Sequence, residues 1–395
     1  MFADIISPDK MRLEKEITDL GADPYALKIA SKGLPCNIKL RKVKSPAANI
    51  IKQEAIASGI DAAVHKRTVE CGVEYTDILL CGNVAGVRKL TERLSIQPYG
   101  LKNVALDINR LIEKYYKTMV LKVQDLEIDL SEKILMPIIN VTPDSFSDGG
   151  LFDNLEDIEN YFAMLKELGV SLIDIGGEST RPGADPVPLD EELKRVLPIV
   201  EIAVSMGFLV SVDTYKGGVA KEVLKKGARL INDVSGLNHD KDMASICADF
   251  DAAVSIMHMK GEPKTMQMDT SYDNLLEDIK DYIERSIEKA LSAGINENSI
   301  IVDPGFGFGK SLRDNYIILK YLNEFKSFGM PILVGLSRKS MIGNVIGKPV
   351  GERAIGSIVA ETIALMNGAD IVRAHDVLHA MDMLKIFNYY NGIVY

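Results

Sequence analysis

Residues 131–395 contain eight short apolar runs, and a polar side chain that can do chemistry stands at or just past the end of each one. Acidic and amide side chains accept hydrogen bonds from N–H groups, whereas arginine, lysine and histidine bind anions such as phosphates. Any one of these residues can instead be a helix N-cap or a turn residue, but capping alone does not explain a polar residue after nearly every run. The residues are Asn140, Asp174, Asp213, Asn232, His258, Asp303, Ser337 and Arg373 with His375.

The segment DPGFGFGKS, which begins at Asp303, joins a carboxylate to a glycine-rich stretch. It does not fit a P-loop, because Pro304 occupies the position of the first glycine in GxxxxGKS, and its alternating glycines do not fit GxGxxG. A carboxylate at a strand end can accept two N–H bonds from an amidine-like edge, such as that of a 2-aminopyrimidinone ring. Asp213 and Asn232 add polar contacts at adjacent strand ends.

Three further segments offer oxygen ligands or cations for a phosphate group. Asn140 begins the polar stretch NVTPDSFSDGG, and its amide oxygen suits Mg²⁺, although an Asx-turn is the alternative. Arg181, in GGESTRPG, can meet a diphosphate with its planar donor fork or can simply be exposed. In GLSRKS, Lys339 and Ser340 stand where a helix begins, which favours an anion or a carboxylate.

A repeated strand–helix pattern positions these residues. The apolar runs are rich in Ile, Val and Leu and do not alternate, which is typical of parallel strands buried on both faces. Eight such units predict a (β/α)8 TIM barrel, whose active sites lie at the carboxyl ends of the strands; an open doubly wound sheet is the alternative. The runs cover residues 134–139, 171–175, 208–212, 229–232, 252–257, 299–302, 331–335 and 370–374.

Residues 1–130 lack this regular pattern and contain two or three possible strands mixed with helices. We predict a small α/β N-terminal accessory domain there, without a catalytic constellation, and a catalytic domain over residues 131–395. The segment QDLEIDLSEK is interpreted as the connection between the two domains.

Composition narrows the functional class. The chain has 395 residues, of which 47% are hydrophobic and 26% charged, enough for a full core. The net charge of −10 argues against a general nucleic-acid binder, while a few local cations suffice for an anionic small molecule. The four cysteines lack metal-ligand spacing and no apolar run approaches the ~18 residues of a membrane span. These features predict a cytoplasmic protein with reduced thiols.

Taken together, the segments resemble the dihydropteroate synthase family of folate biosynthesis. The resemblance spans residues 134–376, and the motifs occur in the family's order: NVTPDSFSDGG, GGESTRPGA, SVDT, INDVSG, MHMKGEPKTMQ, DPGFGFGK, GLSRKS and RAHDV. It implies a (β/α)8-barrel transferase, usually a homodimer working with Mg²⁺, that joins 6-hydroxymethyl-7,8-dihydropterin diphosphate to 4-aminobenzoate. Diphosphate leaves early in the family's reaction, and the arylamine traps the resulting cationic pterin methylene.

The resemblance also implies residue roles. The pterin would be held by Asp213, Asn232, Asp303 and Lys339, with Met257 and Arg373 along its faces. Asn140 would bind the metal and, with Arg373 and His375, the diphosphate. Thr180, Arg181, Phe308 and Ser340 would shape the amine site, and Phe146 and Asp148 belong to the first closing loop. The residues implied to be catalytic are Asp303, Lys339, Arg373, His375, Arg181 and Asp148.

Two other functions account for fewer of these segments. A pterin-binding methyltransferase shares a related barrel, but it has no diphosphate to hold and does not need the TRPG, SRKS or RAHD segments. A catalytically inactive pterin-binding protein predicts loss of Asn140, Asp303, Lys339 or Arg373, all of which are present. The amine acceptor can also be a ribosylated aminobenzene. Residues 1–130, which the shortest family members lack, are predicted to serve assembly or stability.

Overall fold

The computed structural model describes residues 6–141, 155–179, 185–261, 266 and 268–393. The chain divides into two compact units, Met1–Tyr116 together with Gly392–Tyr395, and Lys117–Asn391. Among the helices in these ranges, none is both long and apolar enough to cross a membrane.

The first unit is a three-stranded antiparallel sheet with helices packed on one face, as the sequence predicted. Alternate residues of its central strand are buried, including Ile78 and Leu80, because one face of the sheet covers the core. Ile51 and Leu90 reach the same core from two helices. The helices are α1 (Lys10–Asp19), α2 (Ser45–Ala57), α3 (Val84–Leu94) and α4 (Leu101–Tyr116), and a 3-10 segment covers Pro24–Lys32. The strands are β1 (Pro35–Lys44), β2 (Asp61–Val64) and β3 (Tyr75–Asn83), in the order β1-β3-β2.

The second unit begins with a hairpin, β4 (Val120–Val123) and β5 (Leu126–Asp129), and continues as a parallel barrel. The barrel strands are β6 (Ile134–Asn140), β7 (Leu172–Gly176), β8 (Leu209–Asp213), β9 (Leu230–Asp233), β10 (Ala253–Met257), β11 (Ile300–Asp303), β12 (Leu333–Val334) and β13 (Ile371–Ala374). Each lies within or overlaps a predicted run.

Helices surround these strands. They are α5 (Leu155–Glu167), α6 (Leu189–Ser205), α7 (Gly217–Lys225), α8 (Met243–Asp249), α9 (Leu275–Ala293), α10 (Leu312–Lys320), α11 (Ser340–Ile346), α12 (Ala354–Met366) and α13 (Val377–Asn391). Short 3-10 segments cover Glu297–Ser299, Leu322–Phe328 and Val350–Glu352.

The sheet closes on itself. Its order is β11-β10-β9-β8-β7-β6-β13-β12, and the two end strands meet where Val302 forms a parallel bridge with Ile332. The Val302 backbone N–H also donates to the Pro331 carbonyl at 2.9 Å. The predicted (β/α)8 barrel is therefore confirmed, and the open doubly wound sheet is excluded.

Side chains of the barrel strands alternate between the helices and the interior. On β7, Ile173 and Ile175 pack in the outer core, whereas Leu172 belongs to an interior layer. Asp174 therefore points inward, because successive side chains on a strand take opposite faces. The same alternation gives each barrel strand except β12 an inward apolar residue near its start and an inward polar residue at or near its end; β12 consists of Leu333 and Val334 alone.

The hairpin covers the base of the barrel. Its Leu121 and Val123, with Met119 and Leu130, pack against the inward apolar layer at the start of the barrel strands. That layer consists of Met136, Leu172, Leu209, Leu230, Ala253, Ile301, Leu333 and Ile371. The sequence grouped residues 117–130 with the N-terminal domain, but their apolar side chains complete the barrel core, so the boundary lies near Tyr116.

Candidate active site

A buried carboxylate, that of Asp174 on β7, connects four strands inside the barrel. Its Oδ1 accepts a hydrogen bond from Ser211 Oγ at 2.5 Å. Its Oδ2 accepts from Asn232 Nδ2 at 3.1 Å and from Arg373 Nε at 2.6 Å. A buried charge needs partners of this kind, and here they join β7, β8, β9 and β13.

Arg373 lies between two carboxylates. Besides its bond to Asp174, its Nη2 donates to Asp213 Oδ2 at 2.8 Å. The second oxygen of Asp213, Oδ1, is buried and has no hydrogen-bond partner among the described residues. Burial raises the pKa of Asp213, Arg373 opposes the shift, and Asp174 adds to it. Asp213 thus offers an unsatisfied acceptor to a ligand.

Asp303 ends β11 and pairs in register with Met257 of β10. Its Oδ1 accepts from the Gly305 backbone N–H at 2.7 Å. Burial raises the pKa of Asp303, and the Lys339 ammonium opposes that shift. By strand alternation, Met257 points into the barrel, where its thioether can pack against a flat ring. Asp303 and the inward-facing Met257 therefore lie on neighbouring strands at the same level of the barrel.

Lys339 follows β12 and brings a cation to the same interior. Its Nζ donates to the Phe306 carbonyl and lies 4.6 Å from the centre of the Phe308 ring, within cation–π range. Burial lowers the pKa of Lys339 to about 8; Asp303 opposes the shift and Arg373 adds to it. Lys339 therefore lies within the electrostatic reach of both the acid and the arginine.

Asn140 ends β6 beside Asp213 and Gly176. A Cβ placed on Gly176 would lie 3.5 Å from Asp213 Cβ and 3.8 Å from Asn140 Oδ1, so the glycine leaves room between these two side chains. Amide and carboxylate oxygens are the donors that Mg²⁺ prefers. Within the described ranges, no group of three His, Cys, Asp or Glu residues could hold a metal ion. A metal at Asn140 would thus need oxygen ligands from a substrate and water.

His375 and Ser340 lie at the same carboxyl end of the barrel. The His375 backbone N–H donates to Ser337 Oγ at 3.1 Å, which joins the segments that follow β12 and β13. Ser340 is the first residue of α11 and is exposed. Of the site residues predicted from the sequence, the described ones therefore gather at one end of the barrel.

Comparison with known proteins identifies this arrangement. Residues 136–375, more than half of the chain, match the profile of a family described as pterin binding enzyme. The chain belongs to this family. Its relatives among the pterin binding enzymes include the dihydropteroate synthase of Escherichia coli (strain K12), which is 44% identical over 269 residues. That alignment covers 68% of this chain and 95% of the relative.

Solved structures of pterin binding enzymes are similar to the barrel of this chain. The Yersinia pestis dihydropteroate synthase, crystallised with a sulfonamide drug complex, superposes with a TM-score of 0.66 at 44% identity, over 70% of this chain and 100% of that one. The Thermus thermophilus dihydropteroate synthase, in complex with 4-aminobenzoate, gives 0.61 at 38% identity, over 68% and 99%. The predicted activity is confirmed: the chain is a transferase of the dihydropteroate synthase type, acting in folate biosynthesis.

Some site residues implied by the resemblance to this family lie outside the described residues. They are Phe146 and Asp148, in the segment after β6, and Thr180 and Arg181, in the segment after β7. Their roles stay predictions.

Lys310 and His258 form a buried contact beside the site, and the sequence did not assign a role to either residue. Lys310 Nζ contacts His258 Nδ1 at 2.8 Å and donates to the carbonyls of Gly305 and Phe308 at 2.8 and 3.0 Å. Burial, with Lys310 nearby, lowers the pKa of His258 to about 2, so the imidazole is neutral. Gly305 is required here: its φ is 71°, and a Cβ would lie 1.9 Å from the His258 carbonyl oxygen. Lys310 thus shapes the stretch that carries Asp303 and Phe308.

A second supporting network lies beside β7. Lys216 donates to the carboxylates of Glu178 and Glu192 and, at 2.7 Å, to the Val187 carbonyl. Glu178 also accepts from the Val187 backbone N–H at 3.1 Å and from the Tyr215 hydroxyl at 2.5 Å. These bonds hold residues on both sides of the 180–184 segment together. In the sequence, the only indication of this network is Glu178 in the segment GGES. The residues that bond to Glu178 are distant along the chain, so the sequence does not pair them with it.

Proposed function

We propose that this transferase condenses 6-hydroxymethyl-7,8-dihydropterin diphosphate with 4-aminobenzoate and releases 7,8-dihydropteroate and diphosphate. The observation that carries the proposal is the gathering of acceptors, Asp213, Asn232 and Asp303, with the cations Lys339 and Arg373 at the end of the barrel opposite the hairpin. A flat heterocycle rich in N–H donors suits the acceptors, and a diphosphate suits the cations.

The pterin is proposed to lie inside the barrel. Asp303 uses Oδ1 to accept from Gly305, so its other oxygen can accept from the pterin amino and ring N–H groups. Asp213 contributes the buried Oδ1 that has no partner in the described structure. Met257 packs against one face of the ring and Arg373 lines the other. Buried acceptors of this kind discriminate well, because a ligand without matching donors leaves them unpaired.

The diphosphate is proposed to lie at the mouth, near Asn140, Arg373 and His375. The donor set fits Mg²⁺: Asn140 supplies one amide oxygen, and an ion that keeps several waters takes its remaining ligands from phosphate and solvent. When bound, Mg²⁺ would neutralise charge that accumulates on the departing diphosphate. Arg373, held by Asp174, gives the diphosphate a cation of fixed position.

The amine is proposed to bind above the pterin, between Phe308 and Ser340. Support comes from the Thermus thermophilus relative, whose structure contains 4-aminobenzoate, and from Ser340 at the start of α11. Thr180 and Arg181 are assigned to the same subsite from the sequence alone. A ribosylated aminobenzene is the second acceptor to test, because its ring and amino group are the same.

In the reaction, the bond between the pterin methylene carbon and the diphosphate oxygen breaks, and its electron pair leaves with the diphosphate. The amine nitrogen then forms the new C–N bond and loses one proton to solvent or to the departing diphosphate. The electron-rich dihydropterin delocalises the intermediate charge, and Asp303 places negative charge beside it. An arylamine is nucleophilic while neutral, so this scheme requires no strong base.

Diphosphate release tests the proposal directly. Purified protein is incubated with the pterin diphosphate, Mg²⁺ and either 4-aminobenzoate or a ribosylated aminobenzene. Release that depends on 4-aminobenzoate is the expected result, and preference for the ribosylated amine would reassign the acceptor. Failure with both amines would remove the synthase assignment, and methyl transfer to or from a pterin would replace it with the methyltransferase alternative.

We also propose a homodimer. Exposed apolar side chains recur along α12 at Ile355, Val359, Ile363 and Met366, and α13 adds the exposed Ile386. A helix that is apolar on its outer face as well as its inner one is typical of an interface. Sedimentation analysis should show a dimer for the full chain and a monomer for Ile355→Lys.

We further propose that the enzyme works in the cytoplasm and that the first unit serves assembly or stability. The four cysteines are free thiols, as a reducing compartment favours. Cell fractionation tests the first point. For the second, deletion of the first unit should change oligomeric state or thermal stability more than kcat.

A further inference from the structure

Arg338 lies between Ser337 and Lys339, in the segment that connects β12 to α11. Its φ is 58°, in the left-handed region that side-chain-bearing residues seldom adopt. Through this turn, the chain sends Lys339 toward the Phe306 carbonyl and sends the Arg338 guanidinium toward Asp376, just after β13. A strained residue of this kind persists only where its surroundings hold it.

Arg338 is held on three sides. Its Nε donates to Asp376 Oδ2 at 3.0 Å and its Nη2 donates to Oδ1, a bidentate ion pair. Its backbone N–H donates to Ser357 Oγ at 2.9 Å. Its carbonyl accepts from Arg353 Nη1 at 3.0 Å. A Cβ on Gly343 would lie 2.2 Å from the Arg353 guanidinium, so the glycine makes room for this last contact.

The ion pair fixes the neighbours of two site residues. Arg338 directly precedes Lys339, and Asp376 directly follows His375. The His375 backbone also bonds to Ser337 Oγ, so the two segments are joined at two points. The pair therefore sets the distance between the segment with the lysine and the segment with the histidine.

We propose that the Arg338–Asp376 pair is a positioning device, which holds Lys339 and His375 in register for the transfer reaction without touching either substrate. This inference rests on the proposed function, because it assigns Lys339 to the pterin and His375 to the diphosphate. A displacement of about 1 Å in a group that orients reactants can cost roughly 100-fold in rate. A planar guanidinium fork resists such displacement better than the single point charge of a lysine.

Asp376→Asn is the primary test, because it keeps the shape of the side chain and removes its charge. We expect kcat/KM to fall roughly 10- to 100-fold, as is common when a residue that orients a site residue is lost. The KM for the pterin diphosphate should rise and kcat should fall. Arg338→Lys, which keeps a charge, should retain more activity than Arg338→Met.

The control is Lys280→Met, which removes an ion pair with Glu324 on the outside of the barrel. It should keep the wild-type kcat and KM. An Asp376→Asn enzyme with wild-type kinetics would overturn the inference, as would a loss of activity matched by the control. If Asp376→Asn does not fold, equal activities of Arg338→Lys and Arg338→Met would overturn it instead. Inactive wild-type enzyme in the same assay would count against the proposed function, not against this pair.

Discussion

At the scale of single residues, the barrel interior holds three carboxylates, those of Asp174, Asp213 and Asp303, and two cations, Arg373 and Lys339. Arg373 bonds to both Asp174 and Asp213, and Lys339 lies near Asp303. Because each cation already has an internal counter-charge, its position does not depend on a substrate. Preorganisation of this kind reduces the rearrangement needed at the moment of reaction.

The first prediction concerns Asp303. Asp303→Asn should weaken pterin binding by about 1.5–3 kcal/mol, roughly 10- to 100-fold in Kd, because a charged acceptor is replaced by an amide. The Gly305 bond to Oδ1 can remain, so the fold should persist. Isothermal titration with a dihydropterin measures the change.

A matched control for that variant is Asp233→Asn. Asp233 is also a buried aspartate at a strand end, but its carboxylate accepts from Ser235 and Leu237. Its substitution should lower stability and leave pterin affinity near the wild-type value. Equal affinities in the Asp303 and Asp233 variants would show that Asp303 does not hold the pterin.

A second prediction concerns Glu361, which is buried on α12 with neither carboxylate oxygen bonded to any described residue. Burial, and then the charge of Asp376, raise the pKa of Glu361 from 4.5 to about 8. The folded protein therefore retains a proton that the unfolded chain loses, and stability falls as pH rises from about 4.5 to about 8. Glu361→Gln cannot titrate, so its stability relative to wild type should improve by up to about 5 kcal/mol across this window.

Urea unfolding of both proteins at several pH values measures this effect. Parallel stability curves between pH 5 and about 8 would contradict the assignment of a buried, protonated Glu361.

Much of the site could be predicted at this scale, because polar residues after apolar runs identify barrel strand ends. Asp303, Asn232, Asp213 and Arg373 were identified in this way, and Lys339 was identified from its position where a helix begins. The bridging role of Asp174 was missed, although an acid inside the run SLIDI is a visible signal. The contact between Lys310 and His258 had no comparable signal, since it depends on two loops meeting in space.

At the scale of elements, the hairpin β4–β5 decides where the catalytic unit begins. Apolar and polar residues alternate in the strand LEID, and fully and partly buried residues alternate in the strand VLKV, as in half-buried strands. Alternation does not reveal, however, which core a strand completes. The sequence therefore assigned this hairpin to the wrong side of the domain boundary. The barrel strands were easier to predict, because fully apolar parallel strands form a longer repeated pattern.

The third prediction compares two truncations. A chain starting at Lys117 keeps the hairpin and should fold with kcat close to that of the full chain. A chain starting at Ser131 loses Met119, Leu121, Val123 and Leu130 from the barrel base. Each large apolar side chain contributes about 1.5–3 kcal/mol by burial, so the shorter chain should be insoluble or unfold at a much lower temperature.

Circular dichroism melting and diphosphate release measure both truncations. Equal stability of the two chains would show that the hairpin is dispensable. An inactive but folded Lys117 chain would instead show that the first unit takes part in catalysis.

At the scale of the whole molecule, the barrel alone accounts for the transferase. The Escherichia coli relative aligns over 95% of its own length with only 68% of this chain. The first unit is a separately folded sheet with its own core, so its contribution adds to a barrel that is already complete. The sequence predicted a separate N-terminal domain before the barrel, because the repeated strand–helix pattern starts only after residue 130.

The plugged base of the barrel has a kinetic consequence. Within the part of the chain that the structure describes, the hairpin covers one end of the barrel, so we expect substrates to enter and products to leave at the opposite end. A molecule bound beside Asp303 must then arrive before any molecule that stacks over it. We therefore expect ordered binding: the pterin substrate binds first, the aromatic amine binds second, and the condensed product dissociates last. Dihydropteroate should accordingly compete with the first substrate and not with the second.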